Sequence, residues 1–194
     1  IAEAIDWEAT FALRRRLSGL GFKVAEAMDT AQRFRLGWKS AERLIRGTGR
    51  LGFALPFIAG AGCDQLPHEP EIDELAPAVL EQARLIRSAG GMPIILPLLA
   101  LAKRASSEED YVRIYGEIVR GHDGPLLLHW LGEMFLPALR GYFPGQSLPR
   151  ILALDREKVL GVKLSLLDGE LEVRLRRELA PFGQVVFTGD DFHF

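Results

Sequence analysis

Residues 159–165 read Val-Leu-Gly-Val-Lys-Leu-Ser, a short aliphatic stretch that contains one lysine. An apolar stretch of this length bounded by loops is typical of a strand that is buried on both faces of a parallel sheet. Side chains alternate across a strand. The residues that we expect to face covering helices are Leu160, Val162 and Leu164. The residues that then face the opposite side are Gly161, Lys163 and Ser165, so the stretch predicts an amine flanked by small residues on the inner face of a sheet.

Short apolar stretches of the same kind recur along the chain, and amphipathic stretches separate them. Strands buried on both faces are predicted over residues 22–28, 57–62, 92–96, 125–131, 159–166 and 185–188. Helices are predicted over residues 6–20, 38–45, 72–88, 106–119 and 168–179, with Asp6 and Ser106 or Ser107 as N-caps. Residues 29–32 indicate a polar turn, and residues 121–125 and 141–149 indicate loops. This alternation predicts an α/β fold in which a parallel sheet is covered on both faces.

The positions of the polar residues separate two folds that fit this alternation, an open doubly wound sheet and a (β/α)₈ TIM barrel. Polar residues lie at or just beyond the carboxyl ends of successive predicted strands, and they are Thr30, Asp64, His129, Lys163 and Asp190. A barrel has its active site at this end, so we expect a TIM barrel that forms a single domain over residues 1–194. Because a barrel takes about 250 residues, we expect the first and last strand units to be lacking, which leaves the domain incomplete at both ends.

The composition excludes several classes of protein. The chain has 194 residues, 48% of them hydrophobic and 26% charged, with a mean hydropathy of +0.08, as is usual for a globular protein. A net charge of −2 gives no basic surface for phosphate backbones, so we expect no nucleic-acid partner. No stretch approaches the ~20 apolar residues of a membrane helix, so we expect no membrane partner. The single cysteine, Cys63, cannot form an internal disulfide, and we expect a cytoplasmic protein.

A lysine in a buried strand has a specific chemical use. Burial disfavours the ammonium form and lowers the pKa of the side chain, and the neutral amine can attack a carbonyl carbon to form a Schiff base. The alternative is that Lys163 lies at a strand end and extends its amine to water. The spacing of residues alone leaves both possibilities open.

Several motifs, in the same order along the chain, resemble one known superfamily. Residues 160–163, Leu-Gly-Val-Lys, and residues 188–191, Thr-Gly-Asp-Asp, resemble the Schiff-base strand and the next strand end of the dihydrodipicolinate synthase / N-acetylneuraminate lyase superfamily, the class I aldolases with a TIM-barrel fold. Residues 57–62 resemble its third strand, and residues 123–129 resemble the approach to its fifth strand. Residues 24–32, 128–135 and 161–168 are similar to an uncharacterised branch of the superfamily, the DUF993 proteins. The resemblance covers nearly the whole chain.

The resemblance implies roles for two residues. Lys163 matches the lysine that forms an imine with pyruvate or another 2-oxo acid. His129 occupies the position of a tyrosine that relays protons, and an imidazole that titrates near neutrality can also move protons. The alternative for His129 is a core histidine that bonds to the backbone. Because Leu127, His129 and Leu131 are expected to point inward, His129 is predicted to share the barrel interior with Lys163.

Candidate substrate-binding residues surround this pair. The superfamily has a Gly-Thr-Thr-Gly-Glu type turn after its second strand, and only Thr30 matches it here, as a hydrogen-bond donor to the substrate. Asp29 is the neighbouring residue, and its carboxylate would repel an anionic substrate. Asp190 follows the last predicted strand and could orient a hydroxyl or an amine. Ser165 completes the set of candidates.

These residues lead to three functional hypotheses. The first is a class I lyase or aldolase that acts on a 2-oxo acid or a related small carbonyl compound, and it needs neither a metal nor another cofactor. The second is a metal-dependent barrel enzyme in which Glu26, Asp64, His129 and Asp190 bind a divalent cation. The third is a binding protein of the same superfamily without catalytic activity. By resemblance, we expect a homo-oligomer, either a dimer or a tetramer.

Overall fold

The computed structural model describes residues 4–28 and 33–189, and within these residues six parallel strands pair in the order in which they occur in the chain. The strands are β1 (Ala25–Glu26), β2 (Ile58–Ala61), β3 (Met92–Ile95), β4 (Leu126–Leu131), β5 (Val159–Ser165) and β6 (Val185–Thr188). Every neighbouring pair is parallel, and helical segments connect successive strands. This is the arrangement of a TIM barrel, and the six strands form part of one.

Eight α-helices lie in the same described part of the chain. They are α1 (Trp7–Gly19), α2 (Arg33–Leu36), α3 (Trp38–Gly49), α4 (Leu75–Ser88), α5 (Leu99–Arg104), α6 (Glu108–Gly121), α7 (Ser147–Leu152) and α8 (Gly169–Leu179). Short 3₁₀ turns cover Ile72–Glu74, Pro137–Leu139 and Ala180–Phe182. None of these helices has the length and apolar character needed to cross a bilayer.

Capping side chains fix three of the helix starts where the sequence predicts them. Asp6 Oδ1 accepts a hydrogen bond of 2.9 Å from a backbone N–H in the first turn of α1. Ser107 and Asp110 form a capping box at the start of α6. Asp168 accepts a hydrogen bond from the first turn of α8. Such contacts satisfy N–H groups that have no partner within the helix, and each contributes about 1 kcal/mol.

Other elements differ from the prediction. Strand β1 pairs only over Ala25–Glu26, and Phe22, predicted to lie in a buried strand, is 63% exposed. Residues 141–149, predicted as a loop, run into α7, which accommodates Pro149 in its first turn because an N–H there has no partner within the helix. Helices α2 and α5 are too short to produce a periodic pattern. The predicted turn over residues 29–32 lies outside the described residues.

The core packs on both faces of the sheet. The larger part lies between the sheet and the helices, where Ile45, Ile95 and Ile118 have no exposed surface and each contributes about 2 kcal/mol by burial. The smaller part, here called the inner cluster, lies on the opposite face of the sheet, inside the partial barrel. Its members are Met28, Ile58, Met92, Ile94, Leu96, Leu127 and Leu160. The inner cluster forms an apolar layer inside the barrel.

A β-bulge in β5 decides which of its side chains point inward. Leu126 pairs with Val159 while Leu128 pairs with Val162, so β5 carries one extra residue between these two pairs. Gly161 lies in this segment with φ +149°, and a Cβ there would come within 2.7 Å of the Val185 nitrogen. The extra residue changes the alternation of side chains.

The prediction that Leu160 faces the helices is therefore wrong. Leu160 packs against the inner cluster, whereas Val162 and Leu164 lie in the core between sheet and helices, as predicted. Alternation beyond the bulge then directs Lys163 and Ser165 to the inner face.

A candidate active site on strands β4 and β5

Two neighbouring strands bring three polar side chains together near their carboxyl ends. His129 on β4 pairs in register with Lys163 on β5, and Leu131 pairs with Ser165. Leu127 belongs to the inner cluster, so His129, two residues further along β4, points to the same interior. Leu131, also predicted to point inward, is buried and belongs to the larger part of the core.

The three polar groups form a closed triangle of short contacts. Lys163 Nζ donates a hydrogen bond of 2.6 Å to Ser165 Oγ, and His129 Nε2 lies 2.9 Å from the same oxygen. Lys163 Nζ and His129 Nε2 are 3.2 Å apart. His129 and Ser165 are buried, with 0% and 1% of their surfaces exposed, whereas Lys163 is half-buried. Lys163 is thus the one member of the triangle that keeps appreciable exposed surface.

This geometry allows protons to move within the triangle. Nε2 of a neutral histidine carries either a hydrogen or a lone pair. With a lone pair, it accepts a hydrogen bond from the Lys163 ammonium. With a hydrogen, it donates to Ser165 Oγ or to the neutral Lys163 amine. Transfer of the ammonium proton to the Nε2 lone pair leaves a neutral amine and an imidazolium, and a hydroxyl that both donates and accepts connects the two nitrogens.

Gly189 packs directly against this triangle. Its N–H donates a hydrogen bond of 2.6 Å to the Leu164 carbonyl oxygen. A Cβ at this position would overlap Ser165 Oγ and lie 2.7 Å from Lys163 Nζ. The residue after β6 must therefore be glycine for the triangle to keep its geometry. The sequence shows a glycine directly after a predicted strand, but it does not show which side chains approach it.

Three predicted site residues lie outside the described part of the chain. These residues are Asp29, Thr30 and Asp190. Their proposed contacts with substrate stay predictions. The Ser165 hydroxyl contacts Lys163 Nζ and His129 Nε2, and its predicted contact with substrate stays a prediction.

The carboxylates of the metal hypothesis point to different partners. Glu26 accepts hydrogen bonds of 2.8 and 3.1 Å from Arg14 and one of 2.8 Å from Thr48 Oγ1, toward helices α1 and α3. Asp64 accepts hydrogen bonds of 2.7 and 3.0 Å from Arg33. Within residues 4–28 and 33–189, no group of three or more His, Cys, Asp or Glu side chains is arranged to hold a metal ion. Glu26 and Asp64 are each bound to an arginine, and neither is grouped with His129 as metal ligands would be.

Arg33 joins the carboxyl ends of β1 and β2 and was not singled out by the sequence. Arg33 as a whole is 2% exposed, and its side chain is fully buried. All five of its N–H groups donate hydrogen bonds, and the acceptors are the carbonyl oxygens of Ala27 and Gly60, both oxygens of Asp64, and Gln82 Oε1. The guanidinium group therefore has no donor left for a substrate carboxylate. No local motif indicates this network, because the partners of Arg33 are distant in sequence.

Ala27 shows the local effect of this network. It adopts φ +50°, a left-handed conformation that is uncommon for a residue other than glycine. Its carbonyl oxygen accepts the hydrogen bond of 2.8 Å from Arg33 Nη1. Strained backbone of this kind persists when surrounding contacts hold it in place. Here the buried guanidinium holds the chain at the point where β1 ends.

The electrostatics around Asp64 and Cys63 follow from the same network. Burial raises the pKa of Asp64, but the hydrogen bonds and charge of Arg33, with a further bond from Gln82, outweigh it and hold the pKa below its usual value. Burial, together with the adjacent Asp64 charge, raises the pKa of the Cys63 thiol to about 11. The thiol is therefore protonated at neutral pH, which is the form of a packing residue rather than of a nucleophile.

Known structures share this fold. A protein assigned as a dihydrodipicolinate synthetase, from Pseudomonas aeruginosa, superimposes with a TM-score of 0.61 at 17% identity, over 86% of this chain and 52% of its own length. Dihydrodipicolinate synthase from Oceanobacillus iheyensis gives a TM-score of 0.62 at 17% identity, over 95% of this chain and 61% of its own. The chain therefore spans little more than half the length of these structures. At this level of identity the likeness establishes a shared fold.

The sequence itself has no significant match among curated proteins. It does match the family described as proteins of unknown function, DUF993, over residues 1–194. This match covers the whole chain, including all three members of the polar triangle. The partial barrel and the structural neighbours agree with the superfamily that the motifs resemble. The chain belongs to the DUF993 family.

Proposed function

We propose that this protein is a class I lyase or aldolase in which Lys163 forms an imine with a 2-oxo acid or a related carbonyl substrate. The observation that carries the proposal is the short contact between the half-buried Lys163 amine and two buried proton-carrying groups, His129 Nε2 at 3.2 Å and Ser165 Oγ at 2.6 Å. Imine formation requires an amine that can lose a proton and a nearby group that can take and return it. The likeness of the fold to dihydrodipicolinate synthase supports the same class of reaction.

The proposed reaction begins with covalent capture. The neutral amine of Lys163 adds to the substrate carbonyl carbon, and the carbonyl oxygen takes a proton to give a carbinolamine. The hydroxyl then leaves as water with a second proton, and a protonated imine remains. In the cleavage direction, a hydroxyl group on the substrate loses its proton and the adjacent carbon–carbon bond breaks. The electron pair of that bond moves into the iminium group and gives an enamine and an aldehyde.

The return half of the reaction releases the shortened oxo acid. The enamine takes a proton on carbon, and water adds to the resulting imine. Lys163 leaves as a free amine, so protons and bonds balance over the cycle. The proton transfers of imine formation and hydrolysis take place at or next to the Lys163 nitrogen, where the other two members of the triangle lie.

His129 and Ser165 have distinct parts in this proposal. His129 Nε2 takes the proton that Lys163 loses and returns it to the departing hydroxyl. Ser165 Oγ contacts both nitrogens and passes protons between them while holding the amine in place. The apolar inner cluster includes Leu127 and Leu160, which precede His129 and Lys163 on the inner faces of the same strands. Apolar side chains thus lie beside the triangle on both strands, a setting that suits a lysine used as a nucleophile.

The wider properties of the protein are part of the same proposal. We propose a complete TIM barrel as the fold of the active enzyme, with residues 1–194 as part of a single domain, a homo-oligomer of two or four subunits, and a cytoplasmic location. The consecutive order of the six parallel strands supports the barrel. The resemblance to the superfamily supports the assembly, which sedimentation analysis would measure directly.

Reduction with borohydride in the presence of pyruvate tests the imine. We expect the intact chain to gain the mass of one reduced pyruvate adduct. Lys163→Arg keeps a positive charge but cannot form the imine, so it should gain no mass. Lys158→Arg is the matched control, because Lys158 lies just before β5 at its other end and donates to the Val119 carbonyl oxygen. The proposal is wrong if no 2-oxo acid gives an adduct, or if the adduct persists in Lys163→Arg.

A further inference from the structure

A cavity of about 220 Å³ opens beside the carboxyl ends of β2 and β3. Its walls are mainly apolar, and the residues that form them include Phe34, Leu66, Pro70, Leu96, Leu99 and Ala100. The carboxyl ends of parallel strands meet at one end of a barrel. The cavity therefore opens at the same end as the Lys163 amine.

The strand register connects this cavity to the candidate active site. Ile95 pairs with Leu128, so Leu96 lies level with His129, and His129 pairs with Lys163. Leu96 belongs both to the inner cluster and to the cavity wall. Neighbouring strands are about 4.8 Å apart, so the backbone at Leu96 is about 10 Å from the backbone at Lys163. The cavity and the Lys163 amine therefore lie at the same end of the barrel, two strands apart.

The charged groups around the cavity already have partners. Asp64 is bound to Arg33, as described above. Lys103 Nζ lies 2.9 Å from Glu69 Oε1 at the rim. The Cys63 thiol is neutral, because burial raises its pKa to about 11. The cavity thus presents apolar surface, and its charged side chains are paired with opposite charges. Such a site suits an uncharged hydrocarbon chain better than a charged group of a substrate.

We propose that this cavity is the subsite that selects the substrate, and that it binds the apolar tail of a 2-oxo acid whose carbonyl carbon lies at Lys163. The inference rests on the proposed function and narrows it to 2-oxo acids that carry a medium-length alkyl or aryl group. Each methylene that is buried in such a site improves affinity about fourfold. A tail that fills the cavity therefore gives a tailed acid a large advantage over pyruvate.

Equilibrium binding to the Lys163→Ala chain tests the subsite without requiring an imine. We expect calorimetry to show that 2-oxooctanoate binds at least tenfold more tightly than pyruvate. Ala100→Phe, made in the same background, places a ring in the cavity and should reduce this ratio to near one. Leu66→Trp fills the cavity from a loop, and it supplies a second variant should Ala100→Phe fail to fold.

Ala102→Phe is the matched control, because it lies on the same helix and does not form the cavity wall. It should preserve the preference for 2-oxooctanoate. Equal affinities for the two acids in the Lys163→Ala chain would overturn the proposal, and so would a preference that survives in a folded cavity-filling variant. The proposed imine is tested by a different measurement. If the chain that retains Lys163 gives no borohydride adduct, the proposed function is wrong, whatever the binding experiment shows.

Discussion

Gly189 lies so close to Ser165 that any side chain at position 189 would overlap the Ser165 hydroxyl oxygen. The same added carbon would lie 2.7 Å from Lys163 Nζ and 2.8 Å from the Leu164 carbonyl oxygen. The backbone after β6 therefore forms one wall of the polar triangle.

Gly189→Ala is expected to disrupt the triangle while leaving the fold largely intact. The added methyl group must displace Ser165 or Lys163, so we expect the rate of borohydride trapping with pyruvate to fall at least tenfold. Gly19→Ala is the control, since a Cβ there meets nothing within 4 Å. Trapping by Gly189→Ala at the rate of the unmodified chain would show that the wall does not constrain the amine.

His129→Gln tests the proton relay. Glutamine has a similar reach but does not titrate near neutrality, and general acid–base groups contribute about 10²-fold or more to rate. We expect the rate of imine formation to fall about 10²-fold, while the final adduct is still detectable. The rate is measured by adding borohydride at successive times after mixing with pyruvate and determining the amount of adduct. His122→Gln serves as the comparison. His122 is a second buried histidine, and it lies between α6 and β4, before the strand that carries His129. An equal loss in both variants would indicate a structural effect.

The Asp64–Arg33 pair is expected to make stability depend on acid pH. The folded-state pKa of Asp64 is held below its usual value, so the pair's contribution is fully present above about pH 4, the unfolded pKa, and is lost as pH falls through the folded value. Asp64→Asn leaves a buried guanidinium without its counter-charge, and it should lower the free energy of unfolding by about 3 kcal/mol at pH 7.

Urea denaturation at pH 7 and at pH 3 measures this effect. The difference between Asp64→Asn and the unmodified chain should shrink at the lower pH. Glu69→Gln is the control, because Glu69 forms an exposed ion pair with Lys103 and its removal should change stability little. A difference that is constant over this pH range would argue against the ionic character of the Asp64 contribution.

The single cysteine should react slowly in the folded chain. With a pKa of about 11 for the Cys63 thiol, only about a thousandth of it is thiolate at pH 8, and the thiolate is the reactive form. We expect labelling by a disulfide reagent to accelerate as pH rises toward 11. The urea-unfolded chain, in which the thiol is no longer buried, should label much faster at pH 8. Rapid labelling of the folded chain at pH 8 would contradict the raised pKa.

Local patterns account for most of the secondary structure. Capping residues mark the starts of α1, α6 and α8, and aliphatic stretches mark the strands, because both signals arise from neighbours in sequence. They also place Lys163 and His129 on adjacent strands near their carboxyl ends. The outward orientation predicted for Leu160 was wrong, since alternation cannot reveal an extra residue that is defined only by pairing with β4.

The parts of the structure that the sequence did not predict depend on contacts between residues that are distant in sequence. Arg33 donates hydrogen bonds to Gly60, Asp64 and Gln82, which lie 27, 31 and 49 positions further along the chain. A short sequence motif cannot indicate contacts over such separations. The polar ends of β1 and β2 suggested a metal site because carboxylates at strand ends are typical ligands. In the structure, Glu26 forms an ion pair with Arg14 of α1, and Asp64 forms one with Arg33 of α2.

The bulge at Gly161 lets β5 accept a change in length without losing the amine. If the extra residue between Val159 and Val162 were removed, β5 would pair with β4 in regular alternation, and Leu160 and Lys163 would both still face the interior. Homologous sequences compared across this strand should therefore be aligned on the lysine, and a gap of one residue at the glycine is compatible with the same site. An insertion of one residue between Val162 and Lys163 would instead turn the amine to the outer face even where every polar residue was retained.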